Sequence, residues 1–438
     1  MPTTANRPAT TTSRPVAVPQ AQDRVVGQRE GRGSRAENSQ SFAEKLSRRL
    51  WPLDFNNLRA QAVRRTGVED LDSPALSPAL PILLDSLDQE AGLHPLGRFL
   101  MRTHLRDLLE TRLRLAGVWR AKATAMEAER LEQPVFIVGI PRSGNTFLHE
   151  LLAEDPEHRA ARVWEVMFPL VAGGAGAEER KRHIRKAEAR LWWFRRLAPR
   201  ADAVYPMRAT TPHECVSIHS YTFMSEEFIS TCRIPGYENF LHSTDLRPTY
   251  TWQKRFLQFL QLGKPAKRWV LKSPDHVHGL EALFSIFPDA LLVQTHRNPV
   301  EVLKSSADLT QVLLRLYGRG EDPGATLAHE ARVLAENTEQ CMEFRDRHPE
   351  LADRIVDIKY SELISDPVTA VRPIYERLGT GLQATQTERI RRLAAERSRY
   401  QGPRASANPL GMQPGTDDSV ARFEQYCLRF GLPLSRGK

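Results

Sequence analysis

Residues 134–153 read Pro-Val-Phe-Ile-Val-Gly-Ile-Pro-Arg-Ser-Gly-Asn-Thr-Phe-Leu-His-Glu-Leu-Leu-Ala. The unbroken apolar run at 135–138, rich in β-branched residues, predicts a strand buried on both faces, as in a parallel sheet. Gly139 and Gly144 bound a short loop, and from Asn145 onward apolar residues recur at helical spacing. A strand, a glycine-bounded loop and a helix in this order predict an anion site, because backbone N–H groups and the helix N-terminus converge there.

The loop nearly matches the signature G-x-x-x-x-G-K-[ST] of proteins that bind nucleoside triphosphates. Gly139, Gly144 and Thr146 are in register, but Asn145 replaces the lysine that contacts the β- and γ-phosphates. The cation of the loop is Arg142, three positions before that site. The loop is therefore predicted to bind an anion shorter than a triphosphate. The alternative is an ordinary strand–turn–helix without a ligand.

The segment Gly-Ile-Pro-Arg-Ser-Gly-Asn-Thr at 139–146 resembles the 5′-phosphosulfate loop of sulfotransferases that use 3′-phosphoadenosine 5′-phosphosulfate (PAPS). In that family the loop usually reads Pro-Arg-Ser/Thr-Gly-Thr-Thr. Asn145 is a departure, although its amide can still donate a hydrogen bond to a phosphate oxygen. The resemblance implies that six consecutive residues bind the 5′-phosphosulfate: Pro141, Arg142, Ser143, Gly144, Asn145 and Thr146.

A second motif, Thr-His-Arg-Asn-Pro at 295–299, lies at the end of another predicted strand. Arg297 closes this strand, and Ser305 follows eight residues later, about two turns into the next predicted helix. An arginine and a hydroxyl placed in this way can grip one phosphate from two sides. Taken alone, the arginine could equally cap the edge of a sheet. The spacing resembles the family's 3′-phosphate motif, which implies that Arg297 and Ser305 bind the 3′-phosphate.

Two further positions at strand ends match the family. The segment Trp-Val-Leu-Lys-Ser-Pro at 269–274 resembles a Lys-Ser-Pro segment of bacterial and glycan sulfotransferases. The resemblance implies that Lys272 contacts the bridging oxygen between sulfuryl and phosphate, which gains negative charge as the bond breaks. Tyr360, just past a predicted strand at 354–358, matches a tyrosine that stacks near the adenine in the family.

An acceptor hydroxyl must lose a proton as it attacks sulfur, so a general base is expected within hydrogen-bond reach. Related glycan and tyrosine sulfotransferases place a catalytic glutamate at an offset after the phosphate loop comparable with that of Glu165. The segment Thr-Pro-His-Glu-Cys at 211–215 resembles a Pro-Glu-Glu segment of the bacterial family, with His213 in place of the first glutamate. Glu165 is the preferred candidate, and the pair His213 and Glu214 is the alternative.

Composition narrows the class of protein. The net charge of +9 over 438 residues suits an anionic cofactor or substrate, and equally loose contact with an acidic membrane surface or nucleic acid. The four cysteines are scattered and form no Cys-x-x-Cys or Cys/His cluster, which predicts no metal site and reduced thiols in a cytoplasmic protein. No apolar run reaches the roughly 18 residues of a membrane-spanning helix.

The chain divides into three predicted segments. Residues 1–40, rich in Thr, Pro, Ala, Arg and Gln, are expected to form a disordered basic tail. Residues 41–130 carry amphipathic patterns and predict a helical extension, which is either a lid or dimer arm or a helical layer beside the main domain. In residues 131–438 strands alternate with helices. This predicts a three-layer α/β/α sulfotransferase domain with a central parallel sheet, a P-loop-like phosphate loop and ligands at the carboxyl ends of the strands.

Two segments after the phosphate helix have distinctive compositions. Residues 178–200 predict a helix crowded with Lys and Arg that also carries an aromatic patch. Such a helix suits contact with a membrane surface or a large acceptor, or is a charged face over an ordinary core contact. Residues 201–250 show little periodicity and are expected to form loops that wall a substrate pocket.

These patterns together predict a PAPS-dependent sulfotransferase. The acceptor would carry a hydroxyl on a small molecule, a lipid or a glycan, and no metal or nucleic-acid partner is expected. One alternative is a P-loop kinase, against which Asn145 and the lack of an acidic metal ligand after a strand both argue. The other is a non-catalytic nucleotide-binding scaffold, which would bind adenosine 3′,5′-bisphosphate and leave PAPS intact. The sequence does not specify the oligomeric state.

Overall fold

The computed structural model describes residues 42–68, 78–173, 176–197, 199, 207–264, 267–400 and 417–433. A parallel sheet of short strands has the spatial order β2-β3-β1-β4-β5. The strands are β1 (Val135–Gly139), β2 (His158–Arg159), β3 (Arg268–Lys272), β4 (Leu291–His296) and β5 (Ile355–Lys359). The predicted parallel sheet is confirmed. The tail predicted at residues 1–40 lies outside the described residues.

Helices precede, connect and cover the strands. Before the sheet they span Phe42–Leu50, Phe55–Thr66, Ala79–Gln89, Pro95–Ala121 and Ala123–Glu127. From β1 to β4 they span Asn145–Ala153, Val163–Met167, Pro169–Ala172, Ala177–Leu197, Val216–His219, Glu226–Thr231, Pro235–Ser243, Arg247–Gln261 and Leu280–Ile286. After β4 they span Pro299–Tyr317, Pro323–Arg347, Tyr360–Ser365, Pro367–Arg377, Ala384–Tyr400 and Asp417–Phe430, and 3₁₀-helices occupy Ser220–Thr222, Pro274–Gly279 and Pro349–Arg354. In the part of the chain that the structure describes, no helix has both the length and the apolar character needed to cross a membrane.

The sheet is covered on both faces. Side chains alternate along a strand, so Phe136 and Val138 enter one core, while Val135 and Ile137 enter another. The second core is closed by helices that include Asn145–Ala153 and Pro367–Arg377. A smaller third core joins Ile140 to the helices at 299–317 and 323–347. A sheet between two helical layers is the predicted three-layer architecture.

The N-terminal helices form a layer over the first face of the sheet. Leu58, Leu83 and Leu105 belong to the same core as Phe136 of β1. The longest of these helices, Pro95–Ala121, begins with proline in its first turn, and its N-cap residue His94 accepts a hydrogen bond through Nδ1 from the backbone N–H of Gly97 at 2.9 Å. The predicted helical extension is present and packs against the sheet.

From Val216 onward the segment at 201–250 is mostly helical, which contradicts the prediction of loops there, whereas residues 207–215 form loops and turns. Its helices are short and begin at local signals. Ser225 Oγ accepts from the backbone N–H of Glu227 at 3.2 Å, and Pro235 occupies the first turn of the next helix. Phe228 and Tyr237 anchor these helices in the first core. Because each helix presents at most three apolar residues to this core, no helical period accumulates in the sequence.

The order of the strands determines where the site lies. β1 runs between β3 and β4, with Ile137 paired to Lys272 and Gly139 paired to Thr295. Since all strands are parallel, their carboxyl ends share one edge of the sheet. The chain crosses from one side of β1 to the other between β3 and β4, and ligands of open α/β sheets bind at such a switch point.

Candidate active site

Two glycines let the phosphate loop pack closely against its neighbours. Gly139 has φ +150°, and a Cβ there would lie 2.5 Å from the carbonyl oxygen of Thr295. Gly144 has φ +94°, and a Cβ there would lie 3.1 Å from the ring of Tyr360. Both positions therefore require glycine, for the backbone angle and for the close approach. The loop therefore packs between Thr295 at the end of β4 and Tyr360, which follows β5.

The polar side chains of the loop are directed inward. Ser143 Oγ donates to the carbonyl of Ile140 at 2.6 Å and lies 2.6 Å from Thr295 Oγ1. Asn145 Nδ2 donates to the carbonyls of Gly139 and Ile140 at 3.0 and 3.2 Å, and its Oδ1 accepts from Thr295 Oγ1. The amide of Asn145 thus bonds to the loop and to Thr295, whereas the sequence predicted that it donates to a phosphate oxygen.

Two guanidinium groups meet at the outer side of the loop. Arg142 has φ +66°, an unusual angle for a residue other than glycine. Arg297 Nη1 donates to the carbonyl of Arg142 at 3.1 Å, and its Nε donates to Glu301 at 3.2 Å. Burial, followed by the charge of Arg297, holds the pKa of Arg142 below its usual range. Positive charge is therefore concentrated at this point, where an anion would be favoured.

Tyr360 supports this cationic corner. It begins the helix Tyr360–Ser365 after β5, and the guanidinium carbon of Arg297 lies 4.2 Å from the centre of its ring. A cation over an aromatic face is stabilised by the ring quadrupole. The ring of Tyr360 also packs against Gly144. Tyr360 therefore orients Arg297 against the loop, a contact that the motif alone did not indicate.

Lys272 is a buried cation at the end of β3, with 1% of its surface exposed. Its Nζ forms an ion pair with Glu214 and donates to Thr146 Oγ1 at 3.3 Å. The backbone N–H of Cys215 donates to the carbonyl of Lys272 at 2.9 Å, which fixes the 211–215 segment beside this strand. The ammonium group thus lies between the first turn of the phosphate helix and a carboxylate.

His213 borders the same space as Glu214. Its backbone N–H donates to the carbonyl of Ala161 at 2.8 Å, and its Nδ1 is buried without a hydrogen-bond partner among the described residues. Burial lowers the pKa of His213 below its usual value, so the imidazole is neutral near pH 7. A neutral imidazole retains one nitrogen that can accept a proton.

Glu165, the preferred base, is placed differently from the expectation. It lies in the short helix Val163–Met167, and its carboxylate is held by neighbouring residues. One carboxylate oxygen accepts from the backbone N–H of Arg162 at 2.9 Å, and the other pairs with Arg159 at 3.3 Å. The lining of the central cavity includes the next residue, Val166, but not Glu165. One carboxylate oxygen therefore holds the start of this helix, and the other is paired with Arg159.

In the second phosphate motif as well, the residue that lines the cavity is the one after the predicted residue. Ser305 Oγ donates to the carbonyl of Val302 at 3.0 Å, within its own helix. Ser306 faces the cavity, and its Oγ is buried without a hydrogen-bond partner among the residues that the structure describes. Sequence analysis missed both Ser306 and Thr295. The position of Thr295 in β4, directly beside Gly139, becomes evident only when the strand order is known.

One cavity of about 1420 Å³ joins these groups. Ten of the predicted site residues line it: Pro141, Arg142, Gly144, Asn145, Thr146, His213, Glu214, Lys272, Arg297 and Tyr360. Three predicted site residues do not line it: Ser143, Glu165 and Ser305. Single small-molecule sites usually measure about 300–1,000 Å³. The cavity therefore has room for a nucleotide and a second molecule side by side.

The part of the cavity away from the loop contains an apolar patch beside charged side chains. The helix Pro95–Ala121 contributes Leu108, the segment at 166–171 contributes Met167 and Phe168, and the helix Pro299–Tyr317 contributes Leu309 and Leu313. Sequence motifs indicated none of these residues. The N-terminal helical layer is thus part of the cavity wall.

Three side chains in this wall could hold a metal ion. The ligand atoms of Glu226, His242 and His278 lie within 4.8 Å of one another. His242 Nε2 lies 2.8 Å from Glu226 Oε1, and the two imidazole rings stack with their centres 4.4 Å apart. The sequence predicted no metal site, because its cysteines form no cluster, and these three residues are brought together only by the fold.

Comparison with known proteins finds one family and two similar enzymes. A model of the Sulfotransferase family matches residues 134–384. The omega-hydroxy-beta-dihydromenaquinone-9 sulfotransferases Stf3 of Mycobacterium bovis and Mycobacterium tuberculosis are each 26% identical to this chain over 289 residues, which is 61% of this chain and 68% of theirs.

Two solved structures are similar over most of their length. Sulfotransferase STF1 from Mycobacterium tuberculosis H37Rv is 26% identical with a TM-score of 0.67, covering 86% of this chain and 98% of its own. Sulfotransferase STF9 from Mycobacterium avium is 26% identical with a TM-score of 0.72, covering 87% and 99%. The residues matched by the family model include the phosphate loop and the ends of all the strands, and they make up more than half of the chain. The chain therefore belongs to the sulfotransferase family.

Proposed function

We propose that this protein transfers a sulfuryl group from PAPS to a hydroxyl group of a small-molecule, lipid or glycan acceptor. The observation that carries the proposal is the convergence of Arg142, Arg297 and the buried Lys272 on one cavity. Three cations from three neighbouring strand ends favour a ligand with several separate anionic groups. A cytoplasmic location is part of the proposal, and four free, buried cysteines fit a reducing compartment.

The residues of the cavity fit PAPS in charge and in hydrogen-bonding capacity. In this proposal the loop backbone and Arg142 hold the 5′-phosphosulfate, since that guanidinium lies beside a second cation. Arg297 binds the 3′-phosphate together with a hydroxyl of the following helix. Ser306 is better placed for that contact than Ser305, because its Oγ borders the cavity and lacks a partner among the described residues. Tyr360 keeps Arg297 in position.

PAPS, when bound, supplies the sulfuryl group, and the protein contributes positioning and charge. Lys272 lies against Thr146 at the first turn of the phosphate helix, so its ammonium is available to an oxygen that gains negative charge. Glu214 contacts the same ammonium, which brings a carboxylate to the same part of the cavity. We therefore assign the proton of the acceptor hydroxyl to Glu214 instead of Glu165. Neutral His213 is the alternative acceptor of that proton.

An apolar molecule that carries a hydroxyl fits the second part of the cavity. Its wall is built from side chains such as Leu108, Phe168 and Leu313. The name of the similar Stf3 proteins describes sulfation of a hydroxylated menaquinone, which is an acceptor of this kind. The acceptor proposed for this chain is accordingly a hydroxylated lipid-like or ring-bearing molecule.

Calorimetric titration tests the proposal most directly. Adenosine 3′,5′-bisphosphate should bind without a metal ion, and Arg142→Ala should weaken this binding by about 1.5–3 kcal/mol, the usual range for hydrogen bonds to charged groups. Alanine at this position meets the same positive φ, so the loss reports the guanidinium. Arg372→Ala, an exposed arginine in the layer on the other face of the sheet, is the matched control.

Two results would support the alternatives instead. Tighter binding of ATP with Mg²⁺ than of the bisphosphate would favour a kinase. Bisphosphate binding without consumption of labelled PAPS, over a broad panel of hydroxylated acceptors, would favour a non-catalytic scaffold.

A further inference from the structure

The helix Ala177–Leu197 has two faces with different surroundings. His183, Ala187 and Leu191 recur at every fourth position and are buried. The opposite face is a continuous exposed stripe, which we call the outer stripe. It consists of Arg182, Arg185, Lys186, Ala189, Trp192, Trp193 and Arg196. Residues three, four and seven positions apart share one side of a helix, so these side chains form a single surface.

The helix is strongly basic. It carries eight Lys and Arg against three Glu, a net charge of +5, whereas the whole chain has +9. The acidic residues are used locally: Glu178 pairs with Lys181 at 2.9 Å, and Glu179 pairs with Arg182 at 3.0 Å. Arg185 and Lys186 form no ion pair among the described residues. Within the described residues, no acidic side chain therefore compensates the positive charge in the middle of the outer stripe.

Two large aromatic side chains extend this basic surface. Trp192 is 49% exposed and Trp193 is 63% exposed, and their rings contact each other edge to face at 4.8 Å. Exposed tryptophans are costly in water but suit a boundary between water and lipid, where the ring is buried and the indole N–H stays hydrated. Lys and Arg beside Trp on a helix face is the pattern of helices that lie in membrane interfaces.

The inner face of the same helix belongs to the wall of the central cavity. His183, Arg190 and Phe194 line it, and the guanidinium of Arg190 lies 4.9 Å from the ring of Phe168, another wall residue. Arg190 is also exposed. A helix with its side chains is only about 10–12 Å across. The outer stripe therefore lies within one helix diameter of the apolar part of the cavity.

We propose that the outer stripe docks this protein on an anionic membrane surface, with Trp192 and Trp193 in the headgroup region and Arg185 and Lys186 against lipid phosphates. A hydroxyl carried by a membrane lipid then enters the cavity past this helix. The lipid-borne acceptor rests on the proposed function, whereas the docking itself does not. The charge of the stripe is complementary to an anionic bilayer, and the paired tryptophans favour lipid over nucleic acid as the occupant.

Vesicle co-sedimentation of the full chain tests the docking. The protein should bind mixed phosphatidylcholine–phosphatidylglycerol vesicles, bind phosphatidylcholine vesicles weakly, and dissociate as salt is raised. R185E/K186E should reduce partitioning by about tenfold or more, since each cation near such a surface contributes roughly a factor of five. W192A/W193A should also reduce partitioning, while the dependence on salt is retained.

Matched variants separate docking from folding and from catalysis. R372E/R391E makes the same change of charge at two exposed arginines in the layer on the other face of the sheet, and should bind vesicles like the wild type. All variants should keep the wild-type affinity for adenosine 3′,5′-bisphosphate. Equal wild-type binding to both kinds of vesicle, wild-type partitioning by both stripe variants, or a preference for RNA over anionic vesicles would each overturn the proposal. If the wild type docks on anionic vesicles but does not bind the bisphosphate, the proposed function alone is overturned.

Discussion

At the scale of single residues, the pair formed by Lys272 and Glu214 is the arrangement with the clearest chemical consequence. A buried ion pair contributes little to stability on average, because desolvation of both charges offsets their attraction. Here the pair lies at the end of β3 and beside Thr146 of the phosphate helix. Its position, more than its energy, makes it a candidate for catalysis.

Glu214→Gln should therefore lower the turnover rate by roughly 10²–10⁴-fold, the usual effect of removing a general base. Glutamine keeps the shape of the side chain and still accepts a hydrogen bond from Lys272, so affinity for adenosine 3′,5′-bisphosphate should change little. The measurement is single-turnover transfer from labelled PAPS together with calorimetry of the bisphosphate.

The controls for this prediction are Glu165→Gln and His213→Asn. Glu165→Gln weakens the cap of the helix Val163–Met167 and should lower the free energy of unfolding by about 1 kcal/mol with chemistry retained. A large loss of turnover in Glu165→Gln at unchanged stability would return the role of base to Glu165. A loss confined to His213→Asn would assign it to the imidazole.

Arg297→Ala should distinguish two nucleotides. Its guanidinium touches the loop at the carbonyl of Arg142 and is held over Tyr360. The variant should lose affinity for adenosine 3′,5′-bisphosphate and change little for adenosine 5′-monophosphate, since only the first has a 3′-phosphate. Equal losses for both nucleotides would mean that Arg297 acts by supporting the loop.

Asn145 and Glu165 show what a sequence motif leaves undetermined. The motif places both residues along the chain, but the direction of each side chain depends on partners that are distant in sequence. The amide of Asn145 forms hydrogen bonds with Thr295 and two loop carbonyls, and one carboxylate oxygen of Glu165 pairs with Arg159. The cations at the strand ends were easier to predict, because a strand end in a parallel sheet fixes which edge a residue occupies.

At the scale of elements, predictions succeeded where a period was long or the flanking signals were strong. The helix predicted at 178–200 runs from Ala177 to Leu197, and the strand predicted to end at Arg297 is β4. The helices between Cys215 and Ser243 were missed, because elements of four to nine residues show too few repeats for a period. These helices pack against elements that are distant in sequence, such as the helices Ala79–Gln89 and Pro299–Tyr317.

Asp357 of β5 links four elements. It accepts from His296 of β4 at 2.8 Å and from Arg345 of the helix Pro323–Arg347, while His296 Nδ1 lies 2.8 Å from the hydroxyl of Tyr426 in the last helix. Desolvation acts to raise the pKa of Asp357, but hydrogen bonds from His296 and Arg345 outweigh it and hold the pKa well below its usual range.

Asp357→Asn should therefore destabilise the protein at neutral pH, by about 1 kcal/mol because the carboxylate is half exposed. A depressed folded-state pKa contributes stability above the unfolded value near 3.8, and this stability is lost as the pH falls below it. Urea unfolding at pH 7 and at acidic pH measures both effects. A variant that loses the same free energy at both values would show that the network acts through packing, not through charge.

At the scale of the whole molecule, the cavity explains why so many elements converge. The end of the cavity beside the phosphate loop is built by the sheet edge, which family motifs could predict. Its other end is built by the N-terminal layer and by short helices that have no motif. Predicting that half requires knowing which helix faces meet, and this follows from the three-dimensional arrangement of the two helical layers.

One acidic residue in the wall of the cavity makes the free energy of unfolding depend on pH. Asp275 lies in this wall and accepts a hydrogen bond from Ser273. Burial, followed by the negative charge of Glu226, raises the pKa of Asp275 from 3.8 to about 7. An acid with a raised folded-state pKa contributes its full stability below the unfolded value, and this contribution is lost as the pH rises through the folded value.

Asp275→Asn should therefore flatten the loss of stability between pH 4 and pH 7. Asparagine keeps a neutral side chain of the same size at every pH, so it does not have to be ionised at the expense of the folded state. In the wild type this group alone lowers the free energy of unfolding by at most ~1.4 kcal/mol for each pH unit across that window. Urea unfolding of both proteins at pH 5 and pH 8 measures the difference. The stability of the variant relative to the wild type should be higher at pH 8 than at pH 5, whereas a constant offset at both values would show that Asp275 is not the titrating group.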